Sequence, residues 1–157
     1  MRERVRAIFF DLGGTLFRYG DLRGPFNQLL LEQLAPHGCH ATPEDARARY
    51  GEAMAASFRE LGRLRYYRHA DLFCEGHRRF LADFGIAAPA GSGERFYRAQ
   101  IGLGLERVQA RPDAEESLAA LAAAGIHLGI VSNIDDDQFE PLWARLGLAD
   151  YVDATTT

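Results

Sequence analysis

The sequence has no lysine and very little cysteine. All 18 basic residues among its 157 are arginines, and its two cysteines are Cys39 and Cys74. These cysteines lie far apart, without the short spacing of paired metal ligands, so the sequence indicates neither a zinc site nor a disulfide framework. We expect both to be free thiols in a reducing compartment.

Long apolar runs and an excess of positive charge are also missing. No apolar stretch approaches the roughly 18–20 residues that span a bilayer, and no secretory leader is visible after Met1. A formal net charge of −4 gives no general attraction to nucleic acid or to anionic membranes. Residues 63–69 are basic and aromatic, but so short a segment is more typical of side-chain stems that cover a helix junction. We therefore expect a cytoplasmic protein without a membrane or nucleic-acid partner.

What the sequence does contain is the pattern of an α/β domain. Apolar runs at residues 5–10 and 126–131 predict strands, and a third strand is predicted to start at Tyr151. Helices that follow Pro112 and Asp135 separate them. Strands that alternate with helices at these spacings are typical of a parallel sheet.

A long helical segment interrupts that alternation. Four predicted helices lie between residues 26 and 108, after the first strand and before its crossover helix. The median connection between secondary-structure elements of a compact domain is only ~4–6 residues long. We therefore predict a helical subdomain inserted into an α/β core.

The first predicted strand runs into a carboxylate and two glycines. Residues 8–16 read Ile-Phe-Phe-Asp-Leu-Gly-Gly-Thr-Leu, and the apolar run predicts a strand buried on both faces. The glycines allow a sharp turn that brings backbone N–H groups close to a ligand beside Asp11. A carboxylate at the carboxyl end of a parallel strand lies where open α/β sheets bind ligands. The alternative is an aspartate that only starts a tight turn.

A second polar pair, Ser132 and Asn133, follows the second predicted strand. If the two strands are neighbours, this pair lies beside Asp11. A serine hydroxyl and the N-terminus of the following helix suit an anionic oxygen, although Ser132 could instead be a helix cap. The acids at residues 135–137 are typical of a helix start, and we assign them no catalytic role.

These motifs together resemble the haloacid dehalogenase (HAD) superfamily. Phe-Phe-Asp-Leu-Gly-Gly-Thr-Leu is similar to its first motif, an apolar strand followed by Asp-x-Asp-Gly-Thr, and Ser132-Asn133 is similar to its second. The resemblance implies a HAD-like Rossmannoid parallel sheet of about three strands, formed by residues 1–17 and 109–157. It also implies an α-helical cap at residues 18–108.

The same resemblance implies a set of roles. Asp11 would be the nucleophile that forms an ester with a small anionic substrate. Ser132, Asn133, Gly14 and Thr15 would bind its phosphate or other anionic group. The Asp11 carboxylate and the Gly13 backbone carbonyl would ligate Mg²⁺, which offsets the repulsion between nucleophile and phosphate.

The sequence departs from the family pattern at several points. Gly13 replaces the aspartate that acts as general acid and base, and such groups contribute typically ~10²–10⁴-fold. The third-motif lysine or arginine and the fourth-motif acids would follow Thr157. We therefore expect a truncated HAD protein, with little or no activity in the 157-residue chain itself.

Three functions remain open from the sequence. The leading hypothesis is a Mg²⁺-dependent phosphatase that acts on a small phosphorylated metabolite. The second is a 2-haloacid dehalogenase, which in this superfamily also lacks the second aspartate and needs no metal; Arg18, Arg23 and the arginines of residues 63–68 could then hold carboxylate and halide. The third is a degenerate HAD domain that binds a ligand without turnover.

Overall fold

The chain folds into two compact units. A computed structural model describes residues 5–157. The first unit, here called the α/β unit, runs to Gly20 and resumes with Leu105–Thr157. The second, the helical unit, is Asp21–Gly104. Each unit contains its own cluster of buried hydrophobic side chains.

The described residues form five strands and six α-helices. The strands are β1 (Ala7–Phe10), β2 (Phe17–Tyr19), β3 (Val108–Ala110), β4 (His127–Val131) and β5 (Ala154–Thr156). The helices are α1 (Arg23–Leu34), α2 (Pro43–Leu61), α3 (His69–Asp83), α4 (Ser92–Arg107), α5 (Ala114–Ala123) and α6 (Asp136–Leu146). Short 3-10 turns lie at Ala35–His37 and Ala149–Tyr151.

The main sheet is parallel and has the order β1-β4-β5. Phe10 of β1 is paired with Ile130 of β4, and Val131 of β4 is paired with Thr156 of β5. This confirms the predicted α/β class and the predicted three-stranded parallel sheet. It also shows that β1 and β4 are neighbours, so their carboxyl ends meet at one edge of the sheet.

The helices α5 and α6 cover this sheet with leucines. Leu118 of α5 and Leu142 of α6 are almost fully buried and belong to the same cluster as Leu128 and Ile130 of β4. Burial of each such side chain stabilises the fold by about 1.5–3 kcal/mol. The cluster holds the central strand, and therefore the ends of β1 and β4, in a fixed position.

The prediction that β1 is buried on both faces is wrong for the described structure. Ile8 and Phe10 are half-buried against the core, but Phe9 is 70% exposed. Ala7 and Phe9 share one face of the strand and are both exposed, so no described element covers that face. The Phe9 ring lies over Gly129, where a Cβ would approach a ring carbon to 2.7 Å.

The third strand starts later than predicted. Tyr151 lies in a 3-10 turn, with its N–H donated to the Leu148 carbonyl at 3.2 Å, and the strand begins only at Ala154. Apolar residues such as Tyr151 and Val152 pack on the core from this turn. The apolar residues at this position are therefore explained by burial of the turn, and not by a strand as the sequence interpretation had it.

A short antiparallel pair, β2 with β3, was missed from the sequence. Phe17 pairs with Ala110 and Tyr19 with Val108. The sequence interpretation placed a loop at the first segment and the end of a helix at the second. Strands of three residues are too short to show the two-residue alternation that identifies a strand.

The helical unit contains helices α1, α2 and α3 and most of α4. A threonine followed by proline predicts a helix start at Thr42-Pro43. The structure has this start for α2: the Thr42 hydroxyl accepts the Asp45 N–H at 3.1 Å, and Pro43 is at the first helical position. Tyr50 packs edge-to-face on Phe80, with ring centroids 5.8 Å apart. Within residues 5–157, no helix combines the length and the apolar character that crossing a membrane requires.

A buried histidine lies in this unit. His77 is 0% exposed and stacks on Phe96 at 4.6 Å between ring centroids. Its Nε2 lies 3.2 Å from Gln33 Oε1. Because the Gln33 amide nitrogen donates to the Leu29 carbonyl, Oε1 is the acceptor and Nε2 carries the proton. Burial, aided by the positive charge of Arg95, lowers the pKa of His77 to about 4.

This histidine should make the stability of the protein depend on pH. Its pKa is about 4 in the folded chain and 6.5 when unperturbed. Between these pH values the imidazole binds a proton in the unfolded chain but not in the folded chain. Stability should therefore fall as the pH drops from 6.5 towards 4. The test is the decrease in the free energy of unfolding in urea between pH 7.5 and pH 5. We expect this decrease to be about 1 kcal/mol larger for the wild type than for His77→Gln.

The exposed histidine His37 provides the control for this prediction. His37→Gln should retain the pH dependence of the wild type. Equal pH slopes for the wild type and for His77→Gln would contradict the assignment of a buried, neutral imidazole.

Candidate active site

The candidate site lies at the carboxyl ends of β1 and β4. Asp11 follows β1 directly, and Ser132 follows β4 directly. Phe10 and Ile130 are paired in register at these ends, and neighbouring strands lie ~4.8 Å apart. The sheet thus brings together the two predicted motifs, which are far apart in the sequence.

Asp11 is exposed. Within the described part of the chain, its carboxylate takes part in no hydrogen bond or ion pair. Leu12, the next residue, is completely buried and anchors the backbone behind the carboxylate. A free carboxylate on an anchored backbone is available to attack a substrate or to bind a cation.

The loop after Asp11 is a tight, hydrogen-bonded turn. Gly14 has a φ of +78°, a conformation that glycine adopts without strain. Its N–H donates to the Phe17 carbonyl at 3.1 Å, and the Leu16 N–H donates to the Leu12 carbonyl at 3.0 Å. An anion at this loop would therefore share the Gly14 amide with the turn. Thr15 is exposed at the tip of the turn.

Ser132 and Asn133 lie between β4 and α6. The Ser132 N–H extends the sheet by donating to the Thr156 carbonyl at 2.9 Å, and its side chain is half-buried. Asn133 is exposed. The N-cap residue of α6 is Asp135, whose carbonyl accepts the Phe139 N–H at 2.9 Å. Ser132 is therefore not the helix cap, and that alternative interpretation was wrong.

The acidic residues at the start of α6 occupy positions that are ordinary for acids at the start of a helix. Asp136 and Asp137 lie in its first turn, where carboxylates interact favourably with the positive end of the helix dipole. Asp136 also accepts a hydrogen bond from the Thr157 hydroxyl.

Two oxygen-bearing groups at this site are of the kinds that ligate Mg²⁺ in proteins. Mg²⁺ in proteins is usually held by one or two carboxylates and keeps several waters. The Asp11 carboxylate and the Gly13 carbonyl are two exposed oxygens of this kind, and no hydrogen bond within residues 5–157 uses the Gly13 carbonyl. The same residues contain no group of three histidine, cysteine, aspartate or glutamate side chains that could hold a metal.

The pair β2–β3, which the sequence did not reveal, continues directly from the Asp11 loop. The Arg111 N–H donates to the Leu16 carbonyl, and the Gly20 N–H donates to the Arg107 carbonyl, both at 2.9 Å. Arg18 lies on β2, exposed, opposite Gln109. It is the one candidate substrate-binding arginine of the sequence analysis that belongs to the same unit as Asp11.

A comparison with known protein families identifies the family of this chain. Residues 5–157 match the haloacid dehalogenase-like hydrolase family, and the chain therefore belongs to that family. No curated protein matches the sequence.

Solved structures share the fold. An L-2-haloacid dehalogenase from Xanthobacter autotrophicus is 23% identical with a TM-score of 0.60, and the match covers 98% of this chain and 57% of that one. YfnB from Bacillus subtilis, a HAD-hydrolase by assignment and bound to magnesium, is 17% identical with a TM-score of 0.67, covering 98% and 65%. A Thermotoga maritima protein assigned as a beta-phosphoglucomutase is 16% identical with a TM-score of 0.64, covering 96% and 60%.

These likenesses establish the fold, and they include proteins of two chemistries. The chain spans 57–65% of the length of the three proteins. The predicted family membership is confirmed. The choice between phosphate and halide chemistry has to be argued from the site.

Proposed function

We propose that Asp11 is the nucleophile of a hydrolase that acts on a small phosphorylated metabolite with Mg²⁺. The observation that carries the proposal is the convergence of Asp11 and Ser132 at the paired ends of β1 and β4. An exposed carboxylate without a described partner lies there beside a serine and the start of α6. Such a position suits an anion that is attacked by a carboxylate.

The chemistry would proceed in two steps. The Asp11 carboxylate attacks phosphorus, the bond from phosphorus to the alcohol oxygen breaks, and an aspartyl phosphate forms. Water then cleaves that mixed anhydride, which releases phosphate and restores the carboxylate. One difficult displacement is thereby divided into two easier ones. Ser132 and Asn133 would orient the phosphate during both steps.

Magnesium would be held by the Asp11 carboxylate and the Gly13 carbonyl. When bound, it would neutralise charge that otherwise repels the phosphate from the carboxylate. The exposed Thr15 hydroxyl and the Gly14 amide, which is shared with the turn, are further candidate donors to the phosphate. Gly13 has no side chain that could donate a proton to the leaving alcohol, so this proton would come from water or from the substrate.

Gly13 also supports a second candidate, a dehalogenase. Asp11 would then attack the carbon that carries the halogen, halide would leave with its bonding electrons, and water would hydrolyse the ester. This chemistry needs neither a proton donor for the leaving group nor a metal. Arg18, exposed on β2 in the same unit, is a candidate partner for the substrate carboxylate.

Activity measurements on the full-length protein separate these proposals. We expect phosphate release from a panel of phosphorylated metabolites with Mg²⁺, and its loss when EDTA removes the metal. Halide release from 2-chloropropionate that is insensitive to EDTA would instead favour the dehalogenase. A failure of both assays with a folded protein would leave the degenerate binding domain as the explanation.

A further inference from the structure

The helical unit contains a cavity that the proposed hydrolase chemistry does not use. Its volume is about 460 Å³, within the ~300–1,000 Å³ of typical small-molecule sites. Its lining comes from α1, the turn after it, α3 and α4, and all of these residues lie within Asp21–Gly104. The cavity therefore belongs to the helical unit alone.

A buried hydroxyl without a partner lines this cavity. Ser92 is 8% exposed, and its Oγ has no hydrogen-bond partner within the described residues. Although Ser92 begins α4, its hydroxyl caps no backbone N–H there. A buried polar group without a partner costs about 1–3 kcal/mol. Such a cost is unusual in a folded protein and is removed if a ligand supplies the missing hydrogen bond.

An arginine lies one turn further along α4 and lines the same cavity. Arg95 is exposed, and its guanidinium makes one hydrogen bond, from Nη1 to the Ala90 carbonyl at 3.3 Å. It forms no ion pair with any carboxylate within residues 5–157. A guanidinium has five N–H donors, so Arg95 keeps most of its capacity to bind an anion.

The floor of the cavity is apolar and pre-formed. Leu81 and Phe96 line it and are almost completely buried. The Phe96 ring also stacks on His77, which is hydrogen-bonded to Gln33. A floor that is held in this way does not have to be ordered when a ligand binds, and this lowers the entropic cost of binding.

We propose that this cavity binds a small organic carboxylate with an apolar body. The carboxylate pairs with the Arg95 guanidinium. The Ser92 side chain, whose Oγ is covered in the unliganded chain, rotates to donate a hydrogen bond to the same carboxylate. The apolar body lies on Leu81 and Phe96.

A negative charge at the rim of the cavity further limits which ligands the cavity can bind. Glu32 lines the same cavity, is exposed and accepts a hydrogen bond from Gln28 at 3.0 Å. Its carboxylate repels anions, and the repulsion grows with the charge of the ligand. Because the attraction to Arg95 grows with ligand charge in the same way, these two charges together give a phosphate dianion no advantage over a monoanion. The apolar floor then favours a carboxylate with an apolar body, which differs from the substrate proposed for Asp11.

Binding of benzoate tests the proposal, with benzyl alcohol as a neutral probe of similar shape. Titration of the chain, followed by calorimetry and by NMR shifts of α4 amides, should show benzoate binding at least about tenfold more tightly than benzyl alcohol. Arg95→Gln should remove this preference. Arg98→Gln, which changes an exposed arginine of α4 outside the cavity, should retain it.

Two further variants have effects of opposite sign. Glu32→Gln should strengthen benzoate binding, because a like charge leaves the rim. Ser92→Ala should weaken it several-fold while leaving the melting temperature unchanged or higher, since a buried hydroxyl without a partner is removed. Ser132→Ala, in the α/β unit, should not change benzoate affinity.

These binding experiments test the cavity independently of the proposed hydrolase activity, because none of the measurements depends on turnover. Equal affinities for benzoate and benzyl alcohol would overturn the proposal. So would equal losses in Arg95→Gln and Arg98→Gln, or a loss in Ser132→Ala that matches the loss in Ser92→Ala. A folded Asp11→Asn protein should bind benzoate like the wild type even if the proposed hydrolase activity is never found.

Discussion

Asp11→Asn should reduce hydrolysis by at least roughly 10³-fold, because the substitution removes the nucleophile and leaves the fold intact. The amide is a poor nucleophile but has nearly the same shape as the carboxylate. The side chain is exposed and has no described partner, so no internal contact is lost. Steady-state kcat/KM on the best substrate measures the effect, whether phosphate or halide is released.

The matched control is Asp113→Asn. Asp113 is an exposed carboxylate of the same unit, at the start of α5, and its side chain makes no capping hydrogen bond. Its loss should leave kcat/KM within about twofold of the wild type, as expected for an exposed charge outside the residues assigned to the site. If Asp11→Asn keeps more than a tenth of the wild-type rate, the nucleophile lies elsewhere and the proposed function is wrong.

Gly13→Asp should convert the site into a faster phosphatase. A Cβ at Gly13 meets no atom within 4 Å, and the residue is not among those with a positive φ. An aspartate therefore fits there without strain and is placed two residues after the nucleophile. As a general acid and base it should raise phosphate release by roughly 10²–10⁴-fold, measured as kcat at saturating substrate.

Two controls make this result specific. Gly13→Asn supplies nearly the same shape without a titratable carboxyl group and should give no gain. Gly14→Asp moves the carboxyl group by one residue, into a position with a φ of +78°, and should lower the melting temperature without a gain in rate. If Gly13→Asp raises halide release, or leaves phosphate release unchanged, then the missing acid is not the group that limits a phosphatase.

Local chemistry made several features readable from the sequence. The cap at Thr42 and the glycine turn after Asp11 depend on residues that are neighbours in the chain. The alternation of strand and helix predicted the parallel sheet, since two neighbouring parallel strands need a long crossover between them. The proximity of Asp11 and Ser132 was predicted on the condition that β1 and β4 are neighbours, and the structure supplies that condition.

Features that depend on distant contacts were read less well. The strand pair β2–β3 was not predicted, because segments of three residues are too short to show the two-residue alternation of a strand. The start of β5 was misplaced because Tyr151 is held by packing in a 3-10 turn. The exposure of Phe9 was missed because an apolar strand has the same sequence whether one face or two are covered.

The sequence by itself determined the family, the class of the fold and the position of the candidate nucleophile, because these depend on short motifs and on the order of the elements. Only the tertiary structure decided which polar groups are left without partners. Within residues 5–157, the Ser92 hydroxyl is buried without a partner in a cavity of the helical unit that Arg95 also lines, and the Asp11 carboxylate at the end of β1 has none either. The physical reason is that burial and hydrogen-bond partners come from residues far apart in the chain, so no local pattern records them.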